Sequence, residues 1–198
     1  MQGEAGQSRA ADAELAYDRD VHRHLTRNFL AHLGHGLLGQ TGFRLLTAPT
    51  FLPAYVAMLS GGSNFAVGLA PALQAFGMLL TPLVGANLIE HRRRVLPVGF
   101  VTGGAMRAMI LCIALSGLLL PERWALYAVC GFLLGFGVFM GMQGVIFNYL
   151  MSKVIPVSKR GRLTGLRNFL AGITSAGVAW VAGEYLLGET PTAAGYSW

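Results

Sequence analysis

The segment "GANLIEHRRRVLP", residues 85–97, joins two long apolar runs and decides how the rest of the chain is interpreted. Charged or titratable side chains fill its centre, from Glu90 to Arg94, and apolar sequence resumes on either side. Only 12% of the whole chain is charged, against roughly 25% in soluble domains. Because so few charges cannot cover a globular surface, the composition predicts a protein with much of its surface in lipid.

Five apolar stretches after Asn28 are long enough to cross a bilayer, since a helix needs roughly 20 residues to do so. They cover about residues 33–59, 64–89, 95–120, 124–151 and 163–187. Strands of a membrane barrel would be shorter and would alternate in polarity. The sequence therefore predicts an all-α protein, with a polar cytoplasmic segment over 1–28 and a five-helix transmembrane bundle over 29–198. The short connections predict that consecutive helices run antiparallel, side by side.

The basic residues divide unevenly between the two ends of this bundle. Of the 15 lysines and arginines, eleven fall on the side of the N-terminus and one, Arg123, on the opposite side. The eleven are Arg9, Arg19, Arg23, Arg27, Arg92, Arg93, Arg94, Lys153, Lys159, Arg160 and Arg162. The positive-inside rule then places the N-terminus in the cytoplasm. We expect the membrane that holds the chain to be a plasma membrane, the inner membrane of a bacterium. The same loops account for the net charge of +6, so no nucleic-acid partner is expected.

The opening segment resembles the signature loop of the major facilitator superfamily (MFS), a family of secondary transporters. In that loop a glycine, an acidic residue and a basic pair join the second and third helices. Gly85, Arg93 and Arg94 correspond to the glycine and the basic pair. Glu90 lies one position later than the family's aspartate, and Arg92 replaces the family's second glycine.

A second segment, "SKVIPVSKRGRLTGLRNFL" over 152–170, resembles the loop between the fourth and fifth helices of the same family, with Pro156, Arg160, Gly161 and Arg162 in the matching places. The resemblance covers about residues 28–198, or five of the six helices of an N-terminal half. It implies a twelve-helix permease that binds its solute between two halves. It also implies that the chain is truncated after the fifth helix and needs the missing C-terminal half for function.

The basic loops have two interpretations that the sequence leaves open. Arginines at a helix end can bind the last carbonyls of a helix or an acid on a neighbouring helix, and so latch one arrangement of the bundle. They can equally serve only to fix the topology. The candidates for a gating loop are Gly85, Glu90, Arg93, Arg94, Arg160 and Arg162.

Charge inside hydrocarbon costs several kcal/mol, so intramembrane arginines are candidates for function. Arg44 lies eleven residues into the first stretch, just before Pro49 and Pro53, which should bend or break that helix. Arg107 lies near the middle of the third. The alternative for Arg44 is that it snorkels or pairs with an acid from the missing half. The candidates for a substrate pathway are Arg44, Gln40, Thr47, Arg107 and Gln143, and the two arginines favour an anionic solute, with a proton or ion as a possible coupling partner.

Glycines recur four residues apart in the fourth stretch, as Gly131 with Gly135 and Gly137 with Gly141. Small residues at this spacing let helix backbones approach closely. The pattern predicts tight packing, and it is equally compatible with faces that slide during alternating access.

Other classes of function find little support in the sequence. Cys112 and Cys130 lie in apolar runs, and His32 and His35 have no visible third ligand, so neither a metal nor another cofactor is expected. No nucleotide-binding GxxxxGK[ST] loop is present. The scattered acids, among them Glu122, argue against a membrane-embedded lipid-modifying enzyme, and no catalytic residue is assigned. A transporter is the leading interpretation, and a noncatalytic membrane subunit or scaffold is the alternative.

Overall fold

The computed structural model describes residues 2–48, 51–92, 94–187, 192 and 195–197, and this part of the chain is helical, with no strand. The helices are α1 (Gln2–Arg23), α2 (Leu25–Thr47), α3 (Phe51–Leu59), α4 (Asn64–Leu80), α5 (Pro82–Glu90), α6 (Leu96–Leu119), α7 (Glu122–Val154) and α8 (Val157–Ala182). A π-helical turn over Gly183–Leu187 and a 3₁₀ turn over Gly195–Ser197 follow. The predicted all-α class is confirmed.

The later predicted stretches correspond closely to single helices. The third stretch is α6 and the fourth is α7, each within three residues of the predicted ends. The second stretch is divided at Thr81, after which Pro82 takes the first position of α5. Proline is tolerated there because the first amide of a helix has no intrahelical acceptor in any case.

The first stretch is interrupted, as its prolines predicted. Helix α2 ends at Thr47, and Ala48 leaves helical geometry with φ −58° and ψ 137°. Pro49 lies outside the described residues. Pro53 is the third residue of α3, where a missing N–H costs no helical hydrogen bond. Helix α2 is therefore a separate element that ends in an arginine-bearing turn.

Three segments are long and apolar enough to cross a membrane, Asn64–Glu90, Leu96–Leu119 and Glu122–Val154. By this measure the chain is a membrane protein. Helices α2 and α8 do not reach the same hydropathy, because arginines and histidines interrupt their apolar sequence. Five helical stretches are therefore present where five spans were predicted, and composition alone supports three of them as spans.

The distribution of side chains fits a lipid-facing surface. On α4 and α5 the large apolar residues point outward, with Phe65 77% and Leu83 82% exposed. The buried positions of α4 are small or polar, and include Ala70, Gln74 and Gly77. A water-soluble helix would show the opposite arrangement. In lipid, helices associate through small residues that permit close approach.

Helix α7 packs against α4 and α5 with almost no space between the backbones. A Cβ atom on Gly137 would lie 2.0 Å from the carbonyl oxygen of Gln74. A Cβ atom on Gly141 would lie 2.7 Å from the carbonyl oxygen of Met78. The hydroxyl of Thr81 donates a hydrogen bond to the carbonyl of Val138 at 2.8 Å. The Gly137–Gly141 pair thus forms the predicted close backbone contact. Of the other pair, an added Cβ atom on Gly135 would lie 2.9 Å from Sδ of Met109, and one on Gly131 would meet nothing within 4 Å.

The predicted pairing of consecutive helices holds for α6 and α7, which run antiparallel with Gly99 against Ile146. For two other elements the main partner is not the consecutive helix, although α3, the second part of the first stretch, also contacts α4. Helix α2 packs mainly on α8, with the hydroxyl oxygens of Thr41 and Thr174 2.6 Å apart, and α4 packs mainly on α7. Both are parallel pairs of helices that are distant in the chain. Connection length fixes the direction of a helix, whereas small residues select its neighbour.

The polar N-terminal segment forms one long helix. Helix α1 touches the bundle through Tyr17, whose hydroxyl donates to the carbonyl oxygen of Lys153 near the end of α7. Val21 is its buried apolar residue, at 9% exposure. Its remaining described side chains up to Asp20 are exposed, so α1 lies on the bundle rather than inside it.

Candidate functional site

A cavity of about 180 Å³, lined by charged, polar and apolar side chains, lies between α2, α6, α7 and α8. Three predicted substrate-pathway residues line it, Gln40, Arg107 and Gln143. We call it the cationic groove, because Arg107 is joined there by Arg167 and His35. Four helices, of which α6 and α7 are consecutive, therefore contribute charged and polar side chains to one site.

Arg167 is a groove residue that sequence reasoning missed. It reaches the groove from α8 by passing directly over Gly36 of α2, where an added Cβ atom would lie 1.8 Å from Arg167 Cδ. Glycine at position 36 is thus required for this arginine to enter. The signal was present in the sequence, since Arg167 is a third arginine within a predicted span.

An aromatic ring, that of Phe147, packs against Arg167 and two histidines at or beside the groove. The guanidinium carbon of Arg167 lies 4.4 Å from the ring centroid of Phe147, within the range of a cation–π interaction. The imidazole of His35 stacks on the same ring with centroids 6.0 Å apart, and His32 meets its edge at 5.5 Å. Phe147 therefore fixes the side-chain positions of three residues around one ring.

Arg107 and Gln143 face each other across α6 and α7. Arg107 Nη1 donates to the carbonyl of Gly103 at 2.9 Å. The hydroxyl of Thr102 lies 2.6 Å from Gln143 Oε1, to which it donates. This contact holds the side chain of Gln143 in place, and its amide nitrogen is a hydrogen-bond donor that a ligand could use.

The groove has a surplus of positive charge. Between residues 29 and 187 the acidic residues are Glu90, Glu122 and Glu184, each exposed at or near a helix end. Among the described residues the ion pairs are His22–Asp18 and His24–Asp20, both on α1. None of Arg44, Arg107 and Arg167 forms an ion pair in that part of the chain. Donors aimed into an apolar bundle without acceptors are costly, and an anion would satisfy them.

Two predicted pathway residues lie beside the groove rather than in it. Arg44 is in the last turn of α2, where its charge suits the negative end of the helix dipole. Its Nη1 atom would lie 3.7 Å from a Cβ atom on Gly172 of α8. Thr47 donates to the carbonyl of Phe43 in its own helix at 2.9 Å. The Nε atoms of Arg44 and Arg167 are buried and have no hydrogen-bond partner among the described residues.

The gating-loop candidates occupy different environments. Arg160 donates from Nε to the carbonyl of Ile155 and from Nη2 to the carbonyl of Ser152, both at 2.9 Å, and so caps the end of α7. Gly85 brings α5 onto α7, since an added Cβ atom would lie 2.9 Å from the Cα atom of Met142. The remaining described candidates, Glu90, Arg94 and Arg162, are exposed. Arg93 lies outside the described residues.

A second cavity, of about 340 Å³, lies between α2, α3, α6 and α8 and is lined by uncharged residues. We call it the apolar cavity; Leu45, Phe51, Ile110 and Val178 are among its walls. The rings of Tyr55 and Tyr196, which also line it, stack with centroids 6.0 Å apart.

Other kinds of site find no support in the described part of the chain. It contains no group of three histidine, cysteine or acidic side chains placed to hold a metal ion. Cys112 and Cys130 are free and partly buried in different helices. No family model, curated protein or solved structure matches the chain.

Proposed function

We propose that the protein is an MFS-type secondary transporter that moves a small anionic solute by alternating access. The observation that carries this proposal is the cationic groove, where Arg107, Arg167 and His35 line one cavity without an acidic partner among the described residues. Arginine guanidinium groups bind carboxylate and phosphate in a bidentate manner. An unpaired intramembrane charge marks a solute or ion pathway more often than a structural site.

The helices around the groove support a site that changes shape during transport rather than a rigid receptor. Helix α2, which lines the groove, is separated from α3 by the extended residue Ala48. Discontinuous helices are common at the solute sites of secondary transporters. In the arrangement that the MFS resemblance implies, the groove lies on the face that meets the second half, and the solute gradient or a coupled ion supplies the energy.

Counterflow in liposomes tests the proposed function. The complete product of the reading frame that encodes this chain is reconstituted, loaded with unlabelled butanoate and exposed outside to labelled butanoate, glucose or tetramethylammonium. We expect saturable accumulation of the labelled anion alone, because the groove offers donors and positive charge. Accumulation of the neutral or cationic probe would contradict an anionic solute.

The same assay distinguishes a transporter from a noncatalytic subunit or scaffold. Such a protein would show no counterflow with any probe, and removing the groove arginines would change nothing. Arg107→Gln in the liposome assay supplies this control. We expect it to remove butanoate counterflow, whereas Arg123→Gln, an exposed position at the start of α7, should leave it intact.

The proposed orientation places the basic loops in the cytoplasm. In a background with Cys112→Ala and Cys130→Ala, we expect Arg94→Cys and Lys159→Cys to react with a membrane-impermeant thiol reagent only after the cells are permeabilised. Arg123→Cys should react in intact cells, because it lies at the opposite end of α7 from Lys153. All three positions are exposed in the structure. Reaction of Arg94→Cys and Lys159→Cys from different sides would refute the topology.

A further inference from the structure

The cationic groove and the apolar cavity follow one another along the same helices. On α6, Arg107 lines the groove and Ile110 lines the apolar cavity. Three residues of helix correspond to about 4.5 Å along the axis. On α2, Phe43 lines the groove and Leu45 the apolar cavity, and α8 contributes Arg167 to the first and Val178 to the second. The linings of the two volumes thus follow one another along the bundle, separated by about 4.5 Å on α6 and by about 16 Å between Arg167 and Val178 on α8.

The two volumes differ in the charged side chains that line them. The groove offers two guanidinium groups, an imidazole and the amides of Gln40 and Gln143 beside apolar side chains, whereas the apolar cavity is lined by uncharged, mainly aliphatic and aromatic side chains. Its volume of about 340 Å³ is within the range of roughly 300–1,000 Å³ found for small-molecule sites. A small inorganic anion would use the groove alone and would leave the larger volume without a role.

We infer that the solute is an amphiphilic organic anion, with its charged group at Arg107 and Arg167 and its apolar body in the apolar cavity. This inference rests on the proposed function and names the class of solute within it. A monocarboxylate with a medium-length alkyl chain or an aryl group fits both volumes. The source that we assign is a soluble anion rather than a lipid of the bilayer.

A homologous series of carboxylates tests the inference on the 198-residue chain in phosphatidylcholine nanodiscs. Butanoate, hexanoate and octanoate compete with labelled octanoate, and binding to empty nanodiscs is subtracted. Burial of a methylene corresponds to roughly a fourfold gain in affinity. We therefore expect roughly a fifteenfold gain for each step of two methylenes, until the cavity is full.

A variant that fills the apolar cavity tests whether the gain in affinity with chain length arises at the proposed site. Gly42 lines the apolar cavity, and an added Cβ atom there would meet nothing within 4 Å. We expect Gly42→Phe to bring the octanoate-to-butanoate affinity ratio close to one. Gly68→Phe is the matched control, because Gly68 on α4 is equally open and lines neither cavity. It should retain the wild-type ratio.

The possible outcomes separate the two proposals. A ratio near one in the unmodified chain, with butanoate binding still dependent on Arg107, would overturn the amphiphilic solute and leave the anionic transporter standing. A ratio that survives Gly42→Phe, or displacement of octanoate by phosphatidylglycerol in the nanodisc, would also overturn the inference. Loss of arginine dependence for every carboxylate would overturn the proposed anionic solute itself.

Discussion

Butanoate binding is expected to weaken by roughly a hundredfold or more in the double variant Arg107→Gln/Arg167→Gln. A hydrogen bond to a charged group contributes about 1.5–3 kcal/mol, and both guanidinium groups face the same cavity. Glutamine retains a donor but removes the charge, so the loss reports the anion rather than the shape of the groove. Isothermal titration of the chain in nanodiscs measures it.

Two exposed arginines provide the matched control. Arg123→Gln/Arg162→Gln removes the same net charge from the chain but from positions that are exposed and outside the groove. We expect this variant to bind butanoate with nearly unchanged affinity. A loss as large as that of the groove variant would mean that general electrostatic attraction, not a site, accounts for binding.

Gly36 offers an independent approach to Arg167 alone. A Cβ atom on Gly36 would collide with the Arg167 side chain at 1.8 Å, so Gly36→Ala should displace this arginine and weaken binding about as much as Arg167→Gln does. In the Arg167→Gln background the alanine should add little, because the group that it displaces is already gone. Gly34→Ala, where an added Cβ atom meets nothing within 4 Å, should have no effect. Additive losses would show that Gly36 acts elsewhere.

The second large effect is expected at the contact between α4 and α7. Gly137→Leu should prevent recovery of a folded, monodisperse protein, because its Cβ atom would lie 2.0 Å from the carbonyl oxygen and 2.9 Å from the carbonyl carbon of Gln74. These are backbone atoms, so no side chain can rotate away. Overpacking costs typically 1–3 kcal/mol and occasionally more, and a clash of two backbones belongs at the upper end. Size-exclusion chromatography and thermal unfolding in detergent measure the outcome.

The graded comparison uses alanine at two glycines of the same helix. Gly137→Ala should lower the free energy of unfolding by about 3 kcal/mol. Gly131→Ala, where an added Cβ atom meets nothing within 4 Å, should be neutral or raise it by up to about 1 kcal/mol through helix propensity. Equal stability of the two variants would refute the close contact.

The helices were predictable because length and hydropathy determine them. The apolar runs predicted the ends of α6 and α7 to within a few residues, and Pro49 and Pro53 predicted the break that follows α2. The partners of the helices were not predictable in the same way. Both lipid-facing and protein-facing surfaces of such helices are apolar, so a single sequence does not show that α2 meets α8 rather than α4.

The residues of the candidate site were likewise predictable only in part. The rule that intramembrane charge is costly identified Arg107, and polarity within the spans identified Gln40 and Gln143, and all three line one groove. Arg44 and Thr47 satisfied the same rules but lie beside it. The same rule also applied to Arg167, which sequence reasoning missed, whereas no local pattern reveals the close approach of this side chain to Gly36.

The hydrogen bond from Tyr17 to the carbonyl of Lys153 couples the movement of helix α1 to that of α7. Helix α1 is 22 residues long, and the part from Tyr17 back to Gln2 extends about 22 Å. Tyr17 and the buried Val21 both lie in the second half of this helix, so its N-terminal end moves farther than the held end when the helix tilts. A small tilt of α7 near Lys153 would therefore be magnified at the N-terminal end of α1.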